Sequence, residues 1–453
     1  MMSSRRVQIA AVFLKHLLAA LPAAEFGLAP RTRRRSVFAL RWRRAFEELG
    51  PAFIKLGQLI SVRPDEFSEE LVAQMQRMQD AVAPLPAEAI RRVIIDEFAA
   101  TPEELWATFD DEPVAAASIA QVHRATLATP YRPVWGDELP AGTTVAVKVV
   151  RPGAAESIRV DIEIARRLAQ RVERLGLVKR FDLVALLDEF RETVDRELDL
   201  RREGRFADRF AFDFRDDDRV VVPRIVWPTS SRRVVTMEFI DGWRLTDLDE
   251  ARAAGVDCYG LAVHGATAFM RQVFVYGRYH ADLHPANLFV TRDNKIAYLD
   301  FGIVGYLTPE ERMNITQVMA ALVYRDPERA LTYSAKLGVD VPAEKITAVR
   351  AGLAELLDGT LREDGTRDFR HFGLGFLRLL GANGVRIPAG YGLLIKSLAT
   401  VEGVARALYP EIDIVQTAQP FTTRVLGQAM GDPARLQERM PAAIRAALRE
   451  LVA

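Results

Sequence analysis

Apolar residues recur at helical spacing through the first hundred positions and then give way to shorter β-rich stretches, a change of period that places a helical unit ahead of a sheet. Val7, Ala10, Ala11, Leu14, Leu17, Leu18 and Leu21 share one side of a helix, and Lys15 and His16 interrupt the run. This segment therefore reads as an amphipathic helix, not a signal peptide. Helical periodicity continues over 37–60 and again over 68–98, broken by Pro84 and Pro86. β-rich segments at 122–127, 143–150, 220–222 and 233–237 together predict an antiparallel sheet. Between them, 156–175 and 183–210 have the charge density and spacing of two long helices. From residue 246 onward the pattern is almost wholly helical, except for a strand pair at 288–290 and 296–299. The pair is joined by Thr291-Arg292-Asp293-Asn294, a good hairpin turn.

Composition narrows the picture only a little. Of 453 residues, 49% are hydrophobic and 27% charged, an ordinary globular balance. Lys+Arg and Asp+Glu number 61 each, so no global field points to nucleic acid. Cys258 stands alone, which excludes an internal disulfide and any Cys-based zinc site and suits a reducing compartment. No uncharged apolar run reaches the ~18 residues that a membrane-spanning helix needs. Charge is local: within 1–44, Arg5, Arg6, Lys15, Arg31, Arg33, Arg34, Arg35, Arg41, Arg43 and Arg44 face only Glu25. Such a segment either lies on anionic lipid headgroups or packs as a solvated face on its own domain.

The sharpest chemical signal is His280-Ala281-Asp282-Leu283-His284-Pro285-Ala286-Asn287, followed thirteen residues after Asn287 by Asp300-Phe301-Gly302, beyond the hairpin. Phosphoryl transfer needs a carboxylate that positions the acceptor and further oxygens that hold the metal bridging the phosphates. In that pattern Asp282 is the base or orienter, and Asn287 and Asp300 are the Mg²⁺ ligands. Upstream, Val145-Ala146-Val147-Lys148 places a lysine on a β-rich run, where it can reach the phosphates of ATP. Glu203 is the carboxylate expected to pair with it. The stretch 238–242 reads as a linker between a small sheet-bearing lobe and a larger helical one, with Glu238 at its head as a candidate nucleotide contact. No Gly-rich loop or Walker A sequence is present. Ala115, Ala116, Ala117 and Ser118 stand where the glycines would be, and small side chains there still allow close approach of phosphate. Thr308-Pro309-Glu310-Glu311 begins a helix soon after Gly302, which leaves no room for a long activation segment. His123, His264 and His284 show no metal-ligand spacing, and His280 and His284 are expected to orient the loop by hydrogen bonds.

These residues resemble the UbiB/AarF atypical kinases, a family that supports biosynthesis of prenylated quinones such as ubiquinone. The resemblance rests on Lys55-Leu56-Gly57-Gln58, which matches the family's Lys-x-Gly-Gln motif, on the alanine loop, on Glu197 and Asp199 as a Glu-x-Asp motif, and on 390–410 with Val401-Glu402-Gly403-Val404. It spans 45–413. It implies an α+β, two-lobed protein-kinase-like fold, ATP and Mg²⁺ as cofactors, and a helix bearing Lys55 and Gln58 that folds across the active site with Lys55 near Glu197. It also implies an isoprenoid lipid or quinone precursor as partner, a peripheral membrane contact through the basic N-terminus, and a place in the cytoplasm or on the inner face of the membrane. Departures are Phe206 where many members have Asn, Leu283 where Pro is common, and Ala286 where Gly is common. Arg435, Glu438, Arg439, Arg445 and Arg449 punctuate the tail, where some members carry transmembrane helices.

The expected organisation is a basic amphipathic segment at 1–44, a helical extension at 45–105, a kinase-like N-lobe at 106–240, a helical C-lobe at 241–430 and a closing helix at 431–453. Two other readings stay open. One is an ATP-binding scaffold or lipid chaperone with little turnover; the other is a small-molecule phosphotransferase of the aminoglycoside-kinase type, which shares the His-x-Asp loop.

Overall fold

Gly50 and Pro51 divide what the periodicity offers as one helix. Gly50 sits at φ 94°, and Pro51, which has no N–H to satisfy, opens the next helix. In the computed structural model, α1 (Met2–Leu18), α2 (Arg31–Leu49), α3 (Pro51–Ile60), α4 (Glu69–Met75) and α5 (Ala87–Phe98) precede the first strand. The structure describes residues 2–19, 31–61, 67–78, 83–175, 182–283, 285–324, 326–359, 369–385, 387–412 and 417. The helix expected at 431–453 and His284 lie outside them, as does Glu25. The chain divides into two units, one of residues 1–243 with 287–303 and the other of 244–286 with 304–453.

In the first unit, Phe13 of α1 meets Trp42, Phe46 and Phe53 at ring-centroid distances of 5.4, 6.2 and 5.9 Å. This aromatic cluster ties α1, α2 and α3 together. After it come β1 (Trp106–Ala116), β2 (Ala120–Leu127), β3 (Thr144–Val150), α6 (Ala154–Arg174), α7 (Leu183–Glu197), α8 (Leu200–Asp213), β4 (Val220–Val221), β5 (Val234–Glu238) and β6 (Gly242–Arg244). Strands β1-β2-β3-β5 form an antiparallel sheet. Period-2 alternation decides what each face of β3 carries: Val145, Val147 and Val149 are fully buried against Ile90, Ile94 and Trp106, which sends Lys148 to the other face.

Two expectations need correction here, and one strand went unpredicted. The strand at 106–116 is not legible in the sequence, because as a bulged edge strand with Asp110, Asp111 and Glu112 exposed it lacks hydrophobic alternation. The segment 220–222 does not join the antiparallel sheet. β4 pairs in parallel with β9 (Ile296–Tyr298), in a second sheet ordered β4-β9-β8-β6, where β8 is Leu288–Thr291. The stretch 183–210 is two helices, because Asp199 caps α8 by accepting from the Arg201 N–H at 3.2 Å.

Among its described residues the second unit is helical apart from one short ladder. It contains α9 (Leu248–Ala253), α10 (Cys258–Met270) running into a π-helical turn at Arg271–Tyr276, then α11 (Pro309–Tyr324), α12 (Pro327–Lys336), α13 (Ile346–Gly359), α14 (Phe369–Ala382) and α15 (Ala389–Leu408). β7 (Arg278–His280) pairs antiparallel with β10 (Val304–Tyr306), strands too short for a sequence pattern to reveal. Thr308 and Glu311 close a reciprocal capping box at the start of α11, at 2.7 and 3.2 Å. Among the described residues no helix is long and apolar enough to cross a membrane.

Candidate active site

Alternation along β3 aims Lys148 at α8. Its Nζ donates to both carboxylate oxygens of Glu203, at 2.7 and 2.8 Å, and to Asp300 Oδ2 at 3.3 Å. Glu203 is 6% exposed, whereas the Asp300 side chain is 41% exposed. One ammonium thus serves two carboxylates of unequal hydration. Burial disfavours the Lys148 charge, but Asp300 and Glu203 more than reverse this, so its pKa stands above the ordinary lysine value. Burial raises Glu203, helped by the nearby Asp300 charge and opposed by Lys148, and its pKa is pushed up to about 7.

The hairpin β8–β9 brings the other two candidate ligands of the first unit together. Asn287 precedes β8 and Asp300 follows β9, and the Leu299 N–H donates to the Asn287 carbonyl at 3.0 Å. Asp300 Oδ1 accepts from the Gly302 N–H at 2.8 Å, which fixes the carboxylate's rotamer. A Cβ on Gly302 would lie 3.1 Å from that oxygen. Phe301 is buried against Phe210 of α8, at 5.2 Å, so the helix bearing Glu203 also holds the Asp-Phe-Gly turn.

In the alanine loop, Ala115 and Ala116 end β1 opposite Val122 and Gln121, and the Ala117 N–H donates to the Ala120 carbonyl at 2.8 Å. None of these alanines has positive φ, which is why the turn does not need glycine. The Arg151 guanidinium donates to Ala83 O at 3.0 Å and reaches Ala117 O at 3.5 Å, which ties the loop down from behind. Ser118 is 2% exposed, and its hydroxyl has no hydrogen-bond partner among the described residues. Buried hydroxyls are normally paired, so this one is suited to a bound ligand.

The remaining candidates of this unit take distinct places. Lys55 pairs with Glu197 at 2.7 Å with both side chains largely buried, and Glu197 ends α7 just before Asp199 caps α8. Gln58 is half-buried, and its carbonyl accepts from Ser61 Oγ at 2.6 Å. Gly57 is small for a packing reason: a Cβ there would meet the thioethers of Met78 and Met75 at 2.5 and 3.0 Å. Glu238 is held by Arg224 at 2.5 and 2.8 Å and its N–H donates to the Arg224 carbonyl at 2.9 Å, so both its carboxylate and its N–H are already occupied.

Asp282 belongs to the second unit. His280 is buried, its N–H donates to Gln272 Oε1 at 2.9 Å, and its Nδ1 accepts from the Asp282 N–H at 3.2 Å. An accepting Nδ1 puts the ring proton on Nε2 and sets the bend of the loop. Lys396 of α15 approaches Asp282 Oδ1 at 3.4 Å, and Ser397 Oγ, which donates to Leu393 O at 2.8 Å, lies 3.2 Å from Ala281 O. Lys396 escaped the sequence reading, although it lies inside the 390–410 stretch; a lone lysine on an amphipathic helix carries no signal by itself. Among the described residues no group of three or more His, Cys, Asp or Glu side chains forms a metal cluster.

An antiparallel sheet whose third strand carries a lysine paired to a helix glutamate, followed by a hairpin and an Asp-Phe-Gly turn, defines a kinase-like domain. Residues 77–334 match the ABC1 atypical kinase-like domain, and residues 374–413 match the UbiB helical domain. The chain is 34% identical over 388 residues to a probable protein kinase UbiB of Marinobacter nauticus, covering 84% of this chain and 69% of that one. An uncharacterized protein of Synechocystis sp. is also 34% identical, over 387 residues, with 85% and 66% covered. This chain thus spans about two thirds of the length of these relatives. A solved complex of Mycobacterium tuberculosis Rv3197 with erythromycin aligns at TM-score 0.54 and 25% identity, over 81% of this chain and 90% of that one. The chain belongs to the UbiB/AarF family of atypical, protein-kinase-like kinases.

Proposed function

We propose that this chain binds Mg²⁺-ATP and hydrolyses it or transfers its terminal phosphoryl group, in support of the biosynthesis of a prenylquinone or another isoprenoid lipid. The observation that carries the reading is the Lys148–Glu203–Asp300 cluster. A half-buried ammonium held by one buried carboxylate presents a fixed positive charge to phosphate. Asp300, more exposed than Glu203 and oriented by the Gly302 N–H, suits a metal ligand, and Asn287 is tied to the same hairpin. The unpartnered Ser118 hydroxyl and the alanine loop fit a phosphate-bearing ligand.

Mg²⁺ would be held by Asn287 and Asp300 and would supply neutralisation of phosphate charge. Lys148 would bind the α/β-phosphates, and Glu203 would keep the lysine side chain extended. Asp282 would orient the acceptor O–H and take its proton, with His280 setting the loop that carries it. Purified protein should release phosphate from Mg²⁺-ATP and lose that activity on Asp300→Asn. ATP binding with no phosphate release under any condition would instead favour the scaffold reading, and stoichiometric phosphorylation of an added amino sugar would favour the small-molecule phosphotransferase.

A membrane surface as partner rests on α1. Arg5 is committed to Asp161 at 2.6 Å, Lys15 to Glu48 at 2.8 Å and Arg43 to Glu47 at 2.9 Å, so part of the basic character is satisfied within the unit. What α1 turns outward is apolar: Val7, Leu14 and Leu18 are 67, 55 and 52% exposed, with Ala10 and Ala11 on the same side and Arg6 beside them. An exposed apolar stripe flanked by a cation suits shallow insertion among anionic headgroups.

A further inference from the structure

The loop from Asp282 to Asn287 contains no lysine or arginine, but a lysine reaches its carboxylate from another element. Within the second unit that element is α15, the helix covered by the match to the UbiB helical domain. It meets the strand and loop around Asp282 at three successive levels. The Tyr279 hydroxyl donates to Gly390 O at 3.0 Å, Lys396 Nζ reaches Asp282 Oδ1 at 3.4 Å, and Ser397 Oγ lies 3.2 Å from Ala281 O, with its proton shared with Leu393 O at 2.8 Å. Two of these contacts are buried fastenings, since Tyr279 and Ser397 are each 1% exposed. The third is different in kind. The Lys396 and Asp282 side chains are 33% and 38% exposed, and an ion pair at that exposure adds little to stability. Its value therefore lies elsewhere.

We infer that Lys396 is a positioning residue for the phosphoryl-transfer step, holding the Asp282 carboxylate turned toward the acceptor. The inference rests on the proposed phosphoryl-transfer reading. During that step the acceptor oxygen bonds to the γ-phosphorus, the bond from the γ-phosphorus to the bridging oxygen breaks with ADP leaving, and the acceptor proton passes to Asp282. An ammonium beside the carboxylate fixes its rotamer and offsets its charge as an anionic nucleotide approaches. The helical domain then does more than pack, because it supplies a working side chain to the loop.

The test uses the full chain with Mg²⁺-ATP, measuring phosphate release and, separately, the affinity for a non-hydrolysable ATP analogue. Lys396→Met lowers kcat by about 10–100-fold, the range typical of residues that orient a reacting side chain. KM and the analogue's Kd stay within about twofold of wild type, since ground-state binding is not its task. Lys396→Arg restores most of kcat because a guanidinium still reaches the carboxylate. In an Asp282→Asn background Lys396→Met adds less than about twofold, because both changes act through one group. Melting temperature and circular dichroism check that the variants fold. Wild-type kcat in Lys396→Met, a rise in KM alone, or losses that multiply in the double variant would overturn the inference while leaving the proposed function standing. If wild-type protein forms neither free phosphate nor ADP from Mg²⁺-ATP under any condition, the proposed function fails and this inference falls with it.

Discussion

Replacing Glu203 with glutamine should favour the first unit more at neutral pH than at acid pH, the reverse of what breaking an ordinary salt bridge would do. Glu203 is 6% exposed and shares one ammonium with Asp300, which is better hydrated and keeps part of that positive charge for itself. Its carboxyl group is consequently pushed from 4.5 up to about 7. A carboxyl raised in the folded state holds a proton that the unfolded chain has already lost. The contribution of this group to stability is then highest near pH 4.5 and below, falls as pH rises to about 7, and levels off above that. At about 1.4 kcal/mol per pH unit, the fall is about 3 kcal/mol. Lys148 stays charged throughout, since its own pKa lies above that of ordinary lysine. Glu203→Gln removes the titration, so the stability of the variant relative to wild type should climb by about 3 kcal/mol between pH 4.5 and 7.5. Urea unfolding followed by tryptophan fluorescence suits the measurement, because Trp42, Trp106, Trp135, Trp227 and Trp243 all lie within residues 1–243. Parallel pH profiles for the two proteins, or a variant that loses ground as pH rises, would refute the reasoning and show that Lys148 holds Glu203 as a fully paired ion.

Three further outcomes follow from the packing. Gly305→Ala places a methyl 2.1 Å from Cζ of the buried Tyr279 ring, so the second unit should lose about 1–3 kcal/mol, read as a lower melting temperature. Arg5→Ala strands the Asp161 carboxylate, whose side chain is 3% exposed, and should cost about 3 kcal/mol in urea unfolding of the first unit; adding Asp161→Leu should recover part of the loss. Val7→Asp with Leu14→Asp should lower partitioning onto anionic vesicles by about tenfold or more without moving the melting temperature, since both side chains are exposed; unchanged partitioning would remove α1 as the contact.

The fold class was legible because the pattern along the chain carries it: helical spacing first, then β-rich runs, then helices again. Val145, Val147 and Val149 alternate cleanly, so β3 and the outward turn of Lys148 could be read directly. What escaped is what burial does not write into sequence. β1 is exposed along most of its length and bulged, so its residues obey no period. The pairing of β4 with β9 joins positions more than seventy residues apart through two residues, too short a match for any local signal. The break between α7 and α8 was signalled by Asp199, a good cap, but hidden by strong helical periodicity on both sides. Of the candidate site residues, Lys148, Glu203, Asp300 and Asn287 stood out because their chemistry demands particular types at particular spacings. Lys396 did not, because its role depends on a neighbour 114 positions away.

The hairpin between Asn287 and Asp300 has a consequence for how this site can diverge. The open end of the ladder, closed by the hydrogen bond from Leu299 to Asn287, sets the separation of the two side chains. The tip, with Arg292 and Asp293 in solvent, takes no part in it. Chain length at the tip is therefore uncoupled from the geometry at the base. Lineages can lengthen, shorten or recharge that turn, or hang a recognition peptide from it, and still inherit the same pair of ligands.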